Sequence, residues 1–147
     1  MTMHDAVEDT PNLAGAFRPG LSALRAQDRP HIALEDTRNL TGSVDVDLAL
    51  RRVEPQAHRW DFAIGYQHTN REAECVYWVE IHTASDREVD VVLDKLRWSK
   101  QWLGRSGKRL ARASSSTPFA GDPRPDHGDC SAEEGRRYLS SFDATGP

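Results

Sequence analysis

Three segments of the chain carry the patterns of apolar and polar residues that β-strands show. Segment 43–50, SVDVDLAL, alternates apolar residues with aspartates, so a strand would place the two kinds on opposite faces. Segments 60–66 and 75–82 are rich in the aromatic and β-branched residues that favour strands. The connections between the three segments are short and polar, which predicts an antiparallel three-strand meander.

A long amphipathic helix is predicted after the third strand. Ser85 and Glu88 form the S-x-x-E pattern of a capping box, and Gly104 is suited to end the helix. We therefore predict a helix over 86–103, followed by a fourth strand over 108–113. A right-handed crossover through the helix would make the fourth strand parallel to its neighbour. The predicted fold class is α/β with a small mixed sheet.

Two sets of apolar residues mark different surfaces of this predicted helix. One stripe at helical spacing consists of Val89, Val92, Leu93, Leu96 and Leu103. Trp98 and Trp102 lie four residues apart and fall off that stripe, so they would cover a second surface. We expect these tryptophans, like Trp78, to belong to the core rather than to serve as stacking platforms for a ligand.

The distribution of apolar residues divides the chain into three parts. A compact α/β core is predicted over 31–113. Residues 1–30 contain several prolines and glycines and are predicted to be a loosely ordered leader with a short helix over 21–27. Residues 114–147 are rich in Ser, Gly, Pro and Asp, which predicts a mostly flexible tail with a short helix over 133–142.

Composition narrows the class of protein. The chain has 147 residues, a net charge of −4 and two cysteines, Cys75 and Cys130. No run of about 18 apolar residues exists, so we expect no transmembrane helix and no membrane partner. The first ten residues are acidic and lack the apolar segment of a secretory signal. We therefore expect a cytoplasmic protein with reduced cysteines.

Basic residues concentrate between positions 95 and 112, where the chain contains no acidic residue. A basic stripe on an otherwise acidic protein is typical of a surface that faces phosphates. The candidate nucleic-acid-binding residues in this stretch are Lys100, Arg105, Lys108 and Arg109. The alternative is an ordinary solvated helix face, and the sequence leaves both open.

Acidic residues at the ends of two predicted strands are the candidates for chemistry. Asp61 begins the second strand, and Glu80 and His82 lie near the end of the third. If these strands pair as a hairpin, the three residues approach each other. Two converging carboxylates suit Mg²⁺, which prefers oxygen ligands, and Asp47 is the next candidate ligand if its strand is adjacent. Such an ion could activate water and stabilise charge on a phosphodiester.

This arrangement resembles the PD-(D/E)XK nuclease superfamily, with its restriction-endonuclease-like fold, over about residues 40–113. The core of that family is a helix, three antiparallel strands, a helix and a further strand. Asp61 matches the first acid of the motif, and Glu80-Ile81-His82 matches the second acid, the spacer and the third position. The resemblance implies that Asp61 and Glu80 bind magnesium and that the chain acts on nucleic-acid phosphodiesters.

One departure from the family motif concerns the catalytic lysine, because His82 stands in its place. A neutral imidazole can accept a proton or bind a metal, but it is not a permanent cation. Lys95 or Lys100 on the following helix could supply the missing positive charge. In this interpretation the catalytic residues are Asp61, Glu80, His82 and Lys95.

Two functional hypotheses therefore remain open. The first is a metal-dependent nuclease-like protein, active or degenerate. The alternative is a non-catalytic α/β module that keeps the fold and binds a protein or a nucleic acid. In structural terms, Asp61 could merely cap a turn, and Glu80 and His82 could form an exposed polar strand face.

Overall fold

A four-stranded antiparallel sheet organises the protein. The computed structural model of the chain describes residues 1–34, 36–69, 72–81 and 89–113. The strands follow one another in the sheet in chain order and are β1 (Arg18–Pro19), β2 (Leu40–Asp45), β3 (Phe62–Tyr66) and β4 (Cys75–Val79). The helices are α1 (Met3–Glu8), α2 (Val46–Leu50), α3 (Val89–Arg105) and α4 (Lys108–Ala113), with 3₁₀ turns at Arg29–His31 and Thr37–Asn39.

The predicted α/β class and the antiparallel meander are confirmed. Strand β2 pairs with β3, and β3 pairs with β4, both antiparallel. The β3–β4 register joins Phe62 to Val79 at one end and Tyr66 to Cys75 at the other. The predicted hairpin between the second and third strands therefore exists, and its register decides which acidic residues meet.

The first predicted strand is right only in its first half. The strand ends at Asp45, whose carboxylate accepts a hydrogen bond from the backbone N–H of Leu48 at 2.7 Å and so caps α2. Val46 and Leu50 then lie four residues apart on one helix face, and both are fully buried. An aspartate at the N-cap stops the strand and starts a helix even though the apolar residues alternate.

The predicted fourth strand over 108–113, and with it the mixed sheet, is wrong. This segment is helix α4, and Leu110 is its fully buried residue. The fourth strand of the described sheet is instead β1, which pairs antiparallel with β2 at the opposite edge. The sequence of α4, KRLARA, contains no β-branched residue and consists of good helix formers, which explains why this segment is a helix.

The long helix is confirmed, although its buried face differs from the prediction. It continues through Gly104 to Arg105, and the capping pair Ser85 and Glu88 lies outside the described residues. Trp98 and Trp102 are buried and stack with ring centroids 5.8 Å apart, whereas Leu93 is 41% exposed. None of the helices in the described ranges has both the length and the apolar character that crossing a membrane requires.

Helix α1 contributes to the core, so the core begins well before the predicted boundary at residue 31. Met3, Ala6 and Val7 recur at helical spacing and are fully buried. Gly65 in β3 permits this approach, because a Cβ there would lie 2.7 Å from the sulfur of Met3. The absence of a side chain at one strand position therefore lets the N-terminal helix pack on the sheet.

The sheet is covered on both faces. On one face α1, α3 and α4 surround a cluster that includes Ala63, Val76 and Trp78. On the other face, Phe62, Ile64 and Val79 pack with Leu24 and with partly buried residues that include Leu21, Ile32 and Leu40. Residues 21–27 form turns rather than the predicted short helix. Residues 114–147, with the predicted helix over 133–142, lie outside the described residues.

The expectation of reduced cysteines is wrong for Cys75. This residue begins β4, is 1% exposed and is disulfide-bonded. Cys130 is the other cysteine of the sequence and lies outside the described residues. The cytoplasmic location stays a prediction.

Candidate functional site

Asp61 and Glu80 lie at the same end of the β3–β4 pair. Phe62 pairs with Val79, so the next pair of positions outward is Asp61 and Glu80. The Asp61 carboxylate accepts a hydrogen bond from the backbone N–H of Ile81 at 3.0 Å. The hairpin therefore fixes Asp61 beside the residue that follows Glu80, which is the approach that the sequence predicts.

Glu80 forms an ion pair with Lys95 of α3. The Lys95 ammonium donates a hydrogen bond to the Glu80 carboxylate, and the two side chains are only 12% and 13% exposed. Helix α3 packs on this face of the sheet through Trp98 and Trp102, which holds Lys95 over the strand end. Of the two lysines considered as substitutes for the motif lysine, the structure thus brings Lys95 to Glu80.

The third position of the motif is not described. His82 lies outside the described residues, so its predicted part in the site stays a prediction. Trp78, two residues before Glu80 on β4, is buried and packs edge-on against Trp102 at 6.4 Å between ring centroids. The wall behind the strand end is therefore aromatic and buried.

A second group of acidic residues surrounds the N-terminus of α2. The backbone carbonyl of Asp61 accepts a hydrogen bond from the N–H of Val46 at 2.9 Å, which ties the start of β3 to this helix. Asp45 caps the helix, and the Asp47 carboxylate accepts hydrogen bonds from Arg59, whose side chain is only 9% exposed. These two aspartates therefore lie at the end of β2 and the start of α2 rather than along one strand, and the Asp47 side chain is 47% exposed.

A cleft of about 400 Å³ opens between these residues and the turn that follows β1. Asp45, Asp47 and Asp61 line it on one side, and the charged residues Arg25 and Arg51 also border it. Burial raises the pKa of Asp45, and the nearby charges of Asp47 and Asp61 raise it further, whereas its hydrogen bond from Leu48 and the charge of Arg25 lower it. The cleft is therefore a region where negative charge is crowded.

The four candidate nucleic-acid-binding residues are exposed on α3 and α4. Arg105 lies 3.4 Å from a Glu54 carboxylate oxygen, and Arg109 forms an ion pair with Asp9. Lys100 and Lys108 are exposed as well. Lys95 is different, because it points inward to Glu80. Binding of a nucleic acid by this surface stays a prediction.

The carboxylate oxygens of Asp61 and Glu80 at the strand end are the type of ligand that magnesium prefers, but they are few. Mg²⁺ is commonly bound by one or two carboxylates, with water and substrate phosphates completing its coordination. Asp61 and Glu80 supply that number of carboxylates. Within the described ranges, no three acidic, histidine or cysteine side chains group closely enough to bind a metal. An ion at this strand end would therefore have to be shared with a substrate, because the protein alone would not complete its coordination.

Comparisons of the chain with known protein families, with curated proteins and with solved structures find no match. No relative therefore supplies a substrate or a partner for this chain.

Two features of the site were not evident from the sequence. The first is that Asp45 caps a helix. An aspartate is a favoured N-cap residue, so its position directly before Val46–Leu50 could have indicated this helix. Arg59 is nearly buried against Asp47, twelve positions away, and nothing in the local sequence indicates that contact. Long-range ion pairs of this kind depend on how the loop after α2 folds back.

Proposed function

We propose that the chain is a metal-dependent nuclease-like protein that acts on nucleic-acid phosphodiesters at the strand end of Asp61 and Glu80. The observation that carries the proposal is the ion pair between Glu80 and Lys95, beside the Ile81 amide that binds Asp61. This ion pair places a lysine beside two carboxylates. The PD-(D/E)XK motif likewise combines two acidic residues with a lysine. Asp61 and Glu80 are also the residues that match the two acids of the motif.

Each residue has a defined part in this proposal. Asp61 and Glu80 would hold Mg²⁺, which activates water and stabilises negative charge on phosphate when bound. The Ile81 N–H keeps the Asp61 carboxylate in one orientation. Lys95 lies in a poorly hydrated position, where its charge acts strongly on a developing oxyanion. His82 would accept a proton from the attacking water.

A specific observation also favours the second candidate, a non-catalytic interaction module. The carboxylate of Glu80 is already neutralised by Lys95 in a nearly buried pair, which is the arrangement of a structural ion pair. The helix α4 replaces the further strand that the nuclease family has after its helix. A module of this kind would keep the sheet and bind a partner without a metal.

Cleavage of a labelled oligonucleotide in the presence of Mg²⁺ or Mn²⁺ distinguishes the two candidates. We expect Asp61→Asn to lower the rate by more than about 100-fold, since even residues that only support metal ligands contribute about 10–100-fold. Asn can still accept the Ile81 hydrogen bond, so the fold should persist. The matched control is Asp90→Asn on the exposed side of α3, which should cleave like the wild type.

Two outcomes would reject the nuclease. One is a wild-type protein, pure and folded, that cleaves neither single-stranded nor duplex substrate with either ion. The other is cleavage that Asp61→Asn leaves unchanged, which would indicate a contaminating enzyme. Either outcome leaves the interaction module as the better account.

A further inference from the structure

The cleft beside Asp61 contains an arginine that has no structural role in the described fold. Arg51, directly after α2, is exposed and borders the cleft. Among the described residues its side chain makes no hydrogen bond and no ion pair. The other charged residues of the cleft are held by partners, since Arg25 pairs with Asp28 and Asp47 with Arg59. A cation that the fold does not use therefore lines the same cleft as a candidate catalytic carboxylate.

The position of Arg51 is set by the helix that it follows. Its backbone N–H donates to the Asp47 carbonyl at 3.0 Å, so it continues the last turn of α2. The start of the same helix is bonded to the backbone carbonyl of Asp61. One short helix thus connects the arginine to the strand end that carries the proposed chemistry.

The cleft also has an apolar border. Leu48 lines it and is 54% exposed, although it lies on a helix whose other apolar side chains are buried or partly buried. Phe62 and Ala23 line it as well. A phosphate group needs a cation, whereas a sugar or a base gains from an apolar surface, and the cleft offers both within about 400 Å³. That volume lies at the small end of ligand sites, which suits about one nucleotide unit rather than the side of a duplex.

We propose that this cleft is the substrate subsite of the protein, in which Arg51 binds a phosphate of a single-stranded nucleic acid and Leu48 contacts the adjoining nucleoside. The inference rests on the proposed function, because Asp61 belongs to both. Arg25, anchored by Asp28, borders the same cleft and adds positive charge at its rim. The three aspartates repel a phosphate, so occupancy requires a divalent cation at Asp61.

This charge pattern distinguishes the cleft from the basic stripe on α3 and α4. The stripe lacks acidic residues in its sequence and would attract any polyanion without a metal ion. The lining of the cleft contains more carboxylates than arginines, so the cleft would not attract a polyanion without a metal ion. Binding in the cleft should therefore depend on Ca²⁺ or Mg²⁺, and Ca²⁺ is the ion chosen for the test so that binding is measured apart from cleavage.

The test is fluorescence anisotropy of a short labelled single-stranded oligonucleotide with full-length protein in Ca²⁺, at several salt concentrations. We expect Arg51→Gln to weaken binding and to reduce the salt slope, log K against log salt, by about 0.7, which is the value for one phosphate contact on a single strand. The control is Arg52→Gln, because Arg52 is the exposed neighbour of Arg51 and does not line the cleft. It should leave affinity and slope unchanged.

The outcomes separate the subsite from the proposed function. Metal-dependent cleavage together with equal salt slopes for the two variants would overturn the subsite and leave the nuclease intact. Tighter binding of a duplex than of the single strand of the same sequence would overturn the predicted substrate class. A wild-type protein that neither binds nor cleaves would overturn both. A salt slope that is smaller for Arg51→Gln but unchanged for Arg52→Gln would support the subsite even if cleavage is too slow to detect.

Discussion

Asp45 has two roles that affect its ionisation in opposite directions. As the cap of α2 it accepts a hydrogen bond from Leu48, which favours the charged form. As a member of the cleft it is partly buried beside Asp47 and Asp61, which disfavours the charge, and the net result is a raised pKa. Asp36 is the opposite case, because its hydrogen bonds from Arg38 hold its pKa below the usual range.

The first prediction concerns stability against pH at Asp45. A carboxyl whose pKa is raised in the folded state destabilises the fold once pH rises above the unfolded and folded values. We therefore expect Asp45→Asn to be more stable than wild type at pH 7, since Asn retains the cap. The difference should disappear as pH falls below the ordinary aspartate pKa, where both side chains are neutral. Urea unfolding at a series of pH values measures it.

Asp36→Asn is the matched comparison, because Asp36 also caps a helical turn. Its lowered pKa means that the charged form stabilises the fold above the unfolded pKa, and that this contribution is lost as pH falls through the folded value. The substitution should therefore reduce stability at pH 7. Equal responses of the two variants to pH would contradict a raised pKa at Asp45 and a lowered pKa at Asp36.

Among the elements, α1 departs most from expectation, because it lies in a segment that composition marks as a loose leader. Its buried residues have helical spacing, and Thr2 and Asp5 form a reciprocal capping box. The backbone N–H of Met3 also donates to the Glu74 carboxylate at 2.7 Å. The helix is thus fixed to the hairpin between β3 and β4.

The second prediction tests whether α1 belongs to the core. Met3→Ala should lower the free energy of unfolding by about 2–5 kcal/mol, the range for truncating a buried methionine. Met1→Ala is the control, because Met1 is 59% exposed, and it should change stability by no more than about 0.5 kcal/mol. Denaturant unfolding provides both values. Equal stability of the two variants would show that the leader does not pack on the sheet.

The elements that sequence predicted well are those in which local preference and tertiary packing agree. Strands β3 and β4 are apolar and rich in β-formers. Strand β3 is central and β4 lies at an edge of the sheet, and the residues of both are mostly buried. The segment after Asp45 was misread because Val46, Leu48 and Leu50 fit a strand by alternation, although a helix buries two of them equally well. For α1 the i, i+3, i+4 spacing was present, but six residues are too short for a pattern to stand out from chance.

At the scale of the whole molecule, the site lies where two distant parts of the chain meet. The sequence placed Asp61 and Glu80 at one strand end, because hairpin geometry alone requires it. It named Lys95 as one of two candidates to replace the motif lysine, and packing of the tryptophans on α3 determines that Lys95 reaches Glu80. Arg51 and the cleft were not predicted, since they depend on α2 forming a helix instead of a strand.

The measurement that tests the account most directly is calorimetric titration of the metal-free protein with Mn²⁺. Mn²⁺ that binds only the folded state should also raise the melting temperature as its concentration increases, which gives a second, independent measure of binding. We predict saturable binding to the wild type and to Asp90→Asn, and its loss in a folded Asp61→Asn protein. No binding by the wild type at millimolar Mn²⁺, or equal binding by Asp61→Asn, would contradict a metal site at Asp61 and Glu80.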